Sequence, residues 1–160
     1  MPSSSGTATV TLPSDTQILI VREFDAPVPL VWKAWTTPEL VRRWWAGERG
    51  EVTLAEIDFR VGGGWRYVMV AHGDFEVAFN GVYQEIAEHE RIVNTEIFEG
   101  MADARSLVTN SFVDLGDRTR MEMLIDHDSK EARDGHINSG MEGGMQESMD
   151  RLEQVARSLA

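Results

Sequence analysis

The chain contains no cysteine. That absence excludes a disulfide framework, thiolate catalysis and zinc or iron–sulfur sites built on cysteine ligands. Long hydrophobic runs are missing too. The longest purely apolar stretches, Ile18 to Val21 and Val68 to Ala71, are about four residues long, against the roughly 20 that a membrane helix needs. The first residues lack the charged-then-apolar pattern of a secretion signal. Positive charge is scarce: 15 Lys and Arg stand against 27 Asp and Glu, for a net charge of −12. Nucleic acids and anionic membranes are held through Lys and Arg, so neither is an expected partner. A cytoplasmic location is expected. No G-x-S-x-G nucleophile elbow occurs, and no other nucleophile constellation is visible.

What is present is apolar and aromatic. Five Trp, eight Met and a hydrophobic content of 42 % in 160 residues suit one domain, since chains of this size bury roughly 70 % of their unfolded surface around a single core. Residues 1–15, rich in Ser, Thr, Gly and Pro without apolar period, read as a flexible leader, leaving 16–160 as the domain. Gln17 to Phe24 is β-branched and apolar and stops at Asp25-Ala26-Pro27, which predicts a strand. Val28, Val31, Trp32 and Trp35 then recur at helical spacing over 28–36. Thr37-Pro38 restarts a second helix to about Ala46, with Thr37 as its N-cap.

From Glu51 the period becomes two. Strands are predicted at about 51–58, 64–71, 75–87, 90–98, 106–115 and 118–126, with short turns between them. Ser139 to Leu159 reads as a long helix carrying Met141, Met145, Met149, Leu152, Ala156 and Leu159 on one stripe. The predicted class is α+β. A seven-stranded antiparallel sheet with one apolar face needs a cover, and the C-terminal helix is the only element long enough to supply it.

Six pieces in this order resemble a known family. They are Phe24-Asp25-Ala26-Pro27 with Val31-Trp32-Lys33-Ala34-Trp35-Thr36, then Pro38-Glu39-Leu40 with Trp44-Trp45, and then Asp58 to Trp65. Asn80 to Ile86, Glu90 to Val93, and Ser139 to Met145 with Asp150-Arg151-Leu152 complete the series. Together they are similar to START-like (SRPBCC) proteins, in the branch homologous to the C-terminal domain of the activator of the 90-kDa heat-shock-protein ATPase. The resemblance implies a helix-grip fold with a cavity between a curved sheet and the long helix. It implies function less narrowly, because such proteins include ligand carriers, polyketide aromatase/cyclases and co-chaperones.

The expected function is therefore binding of a small apolar or aromatic ligand in that cavity. The alternative is a polyketide-cyclase/dehydratase-like or hydrolase-like enzyme using the same cavity. Stress-related co-chaperone activity is a further alternative carried by the family name alone, and a chaperone partner is not expected. Met141, Met145 and Met149 at i, i+4 and i+8, with Met121 and Met123 on the last strand, would give a soft, adaptable lining; plain core packing explains such a stripe as well. Trp35, Trp44 and Trp45 would close one end, with Trp45 partly exposed. Trp65, Tyr67 and Met69 share a strand face, as do Asn94, Glu96 and Phe98. Glu96 and Tyr67 are the candidate catalytic groups if they point inward. The commoner placement of such a Glu is on the convex face, solvated or paired with Arg.

Gly62-Gly63-Gly64 is a turn rather than a phosphate loop, because a strand and not a helix follows it. Gly143-Gly144 inside the last helix points to close packing. The cluster Asp126-His127-Asp128, Glu131, Asp134 and His136 fits neither an EF-hand nor a zinc helix, so no metal and no cofactor is expected. Edge strands leave a homodimer open.

Overall fold

The computed structural model describes residues 7–73, 75–101 and 105–160. The start of the expected leader, Asp74 of one expected turn and residues 102–104 lie outside the described residues. The elements run β1 (Thr9–Thr11), β2 (Gln17–Phe24), α1 (Val28–Thr36), α2 (Pro38–Trp44), β3 (Gly50–Ile57), β4 (Gly64–Ala71) and β5 (Phe75–Ala87). Then come β6 (Arg91–Phe98), β7 (Arg105–Asp114), β8 (Thr119–His127), α3 (Lys130–Ile137) and α4 (Met141–Ser158).

All sheet pairings are antiparallel, in the order β1-β2-β8-β7-β6-β5-β4-β3. Strands β3 to β8 form a meander with short turns. β2 joins the meander at β8, so α1 and α2 carry the chain from β2 to the opposite edge at β3. The helix-grip architecture is as expected, with one correction: the described sheet has eight strands, not seven. Thr9–Thr11 pairs with Leu19–Val21 as a short edge strand. Nothing in its three-residue alternation announces it, and it is held by backbone pairing and by a side chain of α4 described below.

Other boundaries shift for local reasons. Thr37 occupies the N-cap of α2, but its side chain makes no cap hydrogen bond; its carbonyl accepts from Leu40 and Val41. The acidic segment 130–137 forms the helix α3, whose N-terminus is capped by the Ser129 hydroxyl accepting from the Ala132 amide. α4 begins at Met141, after Gly140 in a left-handed conformation with φ 82°.

The main core lies between the sheet and the helices. Phe24, Phe112 and Met121 of the sheet meet Val31 and Trp32 of α1, Val41 and Trp44 of α2, and Met149, Leu152, Val155 and Ala156 of α4. Each large apolar side chain removed from water here contributes roughly 1.5–3 kcal/mol. A second cluster, Ala8, Ile18, Ile20, Val108 and Ile125, packs with Met141 and Met145.

Candidate functional site

Alternation along the strands assigns the concave wall. Trp65, Tyr67 and Met69 share a face of β4, as the sequence predicts; that face turns inward, and all three are buried. On β5, Phe79 pairs with Tyr67 and Gly81 with Trp65. On β6 the inward set contains Ile92, Asn94, Glu96 and Phe98, with Phe98 beside Phe79 and Asn94 beside Tyr83. Across β7 and β8 the series continues through Ser106, Val108, Asn110 and Phe112 to His127, Ile125, Met123 and Met121. Glu96 is thus on the concave face and not on the convex one.

The wall has two chemically different ends. Near α1 and the C-terminal half of α4 it is apolar apart from the buried Arg22. Trp35 stacks on Trp44 with ring centres 5.0 Å apart, and its edge meets Phe112. The Trp44 indole donates to the Ala34 carbonyl at 2.9 Å, so this pair plugs the core. The other end carries Tyr67, Tyr83, Asn94, Glu96 and Ser106 among aromatic rings. Trp45, partly exposed as expected, sets its ring edge-on to Tyr67 at 5.4 Å and to Phe79 at 5.5 Å. Phe79 lies 5.2 Å from Phe98, which at 37 % exposure forms the rim.

Of the predicted ligand-contacting residues, Tyr67 is near enough to Glu96 to feel its charge, Phe98 shares its strand face, and Trp45 and Trp65 set their rings against Tyr67. Trp35, Trp44 and Met121 belong to the plugged end. Met69 packs with Ala46 and Val52, Met141 joins the second cluster, and Met123 and Met145 touch both main clusters.

A local irregularity shapes the polar end. The β5–β6 register shifts between Tyr83 and Glu85. A side-chain carbon on Gly81 would overlap the Thr95 carbonyl oxygen and lie 2.6 Å from Trp65 Nε1. Only glycine lets the Thr95 carbonyl and the Trp65 indole close over that strand. Asn94 Nδ2 donates to this carbonyl at 3.0 Å, while the Thr95 hydroxyl accepts from the Val82 amide at 2.9 Å in place of a ladder bond. Just after Phe98, Glu99 accepts from Arg66 Nε at 2.8 Å, from Arg66 Nη2 at 2.9 Å and from Asn80 at 2.9 Å. Those bonds pull the Glu99 carboxyl down to about 2 and fix the chain at the rim.

Glu96 is the opposite case. It is half-buried as a residue, yet its carboxyl group lies deep enough for burial alone to push it up to about 7; no hydrogen bond or neighbouring charge among the described residues offsets that burial. Burial also raises the Tyr67 phenol well above its ordinary value, with smaller contributions from the adjacent Tyr83 phenol and from Glu96. Tyr83 is raised by burial, and its hydrogen-bonding interaction with Tyr67 works in the other direction. Two further polar atoms of the wall are buried without a partner among the described residues: Trp65 Nε1, in a residue 7 % exposed, and Asn110 Oδ1, in a residue 2 % exposed.

α4 roofs the wall. Gln146 donates to the Ala8 carbonyl and accepts from the Ala8 amide at 2.9 and 3.0 Å, and Ser148 donates to the Trp45 carbonyl at 2.7 Å. Buried Arg22 reaches Asp150 at 2.9 Å and Glu153 at 3.4 Å. Close packing does explain Gly144, whose missing side chain makes room for the Arg49 guanidinium; Gly143 faces open space.

Asn110, Tyr83 and Arg22 were not predicted as site or core residues. The signal was available for two of them: Asn110 interrupts the inward series Val108, Asn110, Phe112, and Arg22 interrupts Ile18, Ile20, Arg22, Phe24. Elsewhere, a surface hollow of about 430 Å³ lies between α2 and α4, lined by Arg43, Glu48, Glu147, Asp150 and Arg151. In the 126–136 segment, His127 Nε2 lies 2.9 Å from His136 Nδ1 and Asp134 pairs with Lys130 and Arg133, so these side chains engage one another.

Residues 25–157 match the model of a family described as Activator of Hsp90 ATPase homolog 1-like protein. No curated protein matches the chain in sequence. Among solved structures, a Rhodobacter sphaeroides protein is similar at 22 % identity with a TM-score of 0.88, covering 95 % of this chain and 99 % of its own. An Arthrobacter aurescens protein is similar at 26 % identity with a TM-score of 0.84, over 94 % of this chain and 91 % of its own. An AHSA1-like protein of Aeromonas hydrophila is similar at 20 % identity with a TM-score of 0.67, over 88 % of this chain and 93 % of its own.

Proposed function

We propose, from the premise that this chain belongs to the family of Activator of Hsp90 ATPase homolog 1-like proteins within the START-like superfamily, that it binds a small apolar or aromatic molecule between its sheet and α4. One observation carries the reading. Trp65 Nε1 and Asn110 Oδ1 are buried without partners on the concave wall that also holds Glu96. A buried polar group without a hydrogen bond costs about 1–3 kcal/mol, and a guest that supplies the missing partners offsets that cost. The aromatic rings of Trp45, Tyr67, Phe79 and Phe98 supply the apolar contact.

Native mass spectrometry of the freshly purified full chain tests this reading. A retained small molecule, released on unfolding, is the expected result. Bare protein, together with no thermal shift across a panel of apolar and aromatic compounds, would refute it.

A second reading is enzymatic, with Glu96 moving a proton on a bound carbonyl compound in a cyclase-, dehydratase- or hydrolase-like step. The observation favouring it is a carboxyl held near 7, where a general base works best at physiological pH, beside the Tyr67 hydroxyl. Its test is deuterium exchange at the carbon next to the carbonyl of a bound ketone, expected in the native chain and lost in Glu96→Gln. The family description also names an ATPase activator. Recovery of the chaperone with stimulated ATP hydrolysis is the result that would support co-chaperone activity.

A further inference from the structure

The polar end of the wall combines features that select for charge. Four aromatic side chains, Trp45, Tyr67, Phe79 and Phe98, are linked ring to ring from the roof to the rim. Glu96 stands two residues before Phe98 on the same strand face, close enough to Tyr67 to act on its phenol. Aromatic faces carry negative charge density and attract a cation that enters a desolvated site. A carboxylate beside such rings completes the recognition of an ammonium group. Arg22, also inward on the sheet, is engaged by Asp150 and Glu153 of α4.

We infer that the guest carries a cationic amine on an aromatic or apolar body, with the ammonium seated against Glu96 and the Trp45–Tyr67–Phe79–Phe98 rings. The inference rests on the reading that the helix–sheet interior holds a small molecule, and it names the chemistry of that molecule. It explains why Glu96 has no partner among the described residues: the guest is the partner. A salt bridge within the protein at this position would compete with the guest. The net charge of −12 acts in the same direction, concentrating cations around the protein.

The site also predicts proton linkage. The other titratable side chains on the concave face are Tyr67 on β4, Tyr83 on β5, Asp114 at the far end of β7, His127 on β8 and Arg22 on β2; facing them are Asp150 and Glu153 of α4 on Arg22 and His136 of α3 on His127, with Arg49 against Gly144 and Glu147 of α4 against Gly47. Tyr67 and Tyr83 stay neutral through the neutral range because burial raises both, and His127 is neutral there because burial lowers it. Glu96 is then the group that changes charge near pH 7. An amine guest should displace its proton and bind more tightly as the pH rises.

Isothermal titration of the full chain with phenylbutylamine, phenylbutanol and phenylbutyrate tests the inference, since the three share one apolar body. At about pH 8 the amine should bind roughly tenfold more tightly than the alcohol, and the acid most weakly. Glu96→Gln should bring the amine to within about threefold of the alcohol. In the native chain the amine's advantage should shrink toward about pH 6, a readout that does not depend on the variant folding. Equal binding of alcohol and amine at both pH values would overturn the inference and leave small-molecule binding standing. Binding of none of the three would overturn it, and together with bare protein in native mass spectrometry would overturn the function as well.

Discussion

Replacing Glu96 by Gln isolates the energetic consequence of placing an unpartnered carboxyl on the concave wall. In the fold it titrates at about 7 against an ordinary 4.5. At ~1.36 kcal/mol per pH unit, that difference corresponds to roughly 3 kcal/mol, and the partial water access of Glu96 brings the expected figure to about 2 kcal/mol. The sign follows from proton counting. As pH rises above 4.5 the unfolded chain releases this proton first, while the folded chain keeps it until about 7. The stability contributed by the protonated group is therefore fully present below 4.5 and lost as the pH rises through about 7. Gln cannot ionise, so the variant should gain about 2 kcal/mol on the native chain between about pH 4.5 and about pH 8. Urea unfolding of both proteins across that range, followed by tryptophan fluorescence, measures the difference. Every other titrating group is shared, and the burial of the amide is the same at each pH. A native-minus-variant difference that stays flat with pH would refute the placement of Glu96 in a desolvated environment.

Four other outcomes are expected. Gly81→Ala should lower stability by at least about 3 kcal/mol in chemical denaturation, because the new methyl overlaps the Thr95 backbone, whereas Gly143→Ala, facing open space, should raise it by about 0.5–1 kcal/mol. Arg22→Met keeps apolar bulk but leaves the Glu153 carboxylate with the Asp25 amide and no cation; it should cost about 2–4 kcal/mol, and adding Glu153→Gln should recover part of the loss in a double-mutant cycle. Burial holds His136 down to about 4, so its imidazole resonances should not titrate in NMR until the pH nears that value. The stability it contributes is present above the ordinary 6.5 and is lost as pH falls through about 4, opposite in sign to Glu96.

The order of elements was legible because periodicity changes at definite places. Helical spacing of Val28, Val31, Trp32 and Trp35 gives way to alternation after Glu51 and returns after Ser139. β1 was not legible, because three residues cannot establish a period, and its position depends on β2 and on Gln146, far away in sequence. That Trp65, Tyr67 and Met69 share a face followed from the two-residue period of a strand; which way that face turns did not, because Val68 and Val70 make the other face of β4 apolar as well. The same holds for Glu96, because β6 carries Ile92, Val93 and Ile97 on both faces and its hydrophobic pattern selects neither. The separation of Trp45 from Trp44 was legible, because neighbours on one helix face different sides and Trp45 is the more exposed of the two. That Trp45 rests on the polar end was not, since it depends on ring contacts with Tyr67 and Phe79, far away in sequence.

The attachments of α4 divide that single helix into two mechanical pieces. Gln146, Ser148, Asp150 and Glu153 tie it to Ala8, Trp45 and Arg22, so the stretch 146–153 is fastened to β2, to the residue before β1 and to the end of α2. The turn ahead of it, Met141 to Met145, rests on thioether packing and on two glycines, which favour helix least after proline. Opening free energy should therefore climb in a step along one continuous helix. Backbone amides at its start exchange with solvent through local fraying, and those after Gln146 exchange only when the sheet itself gives way.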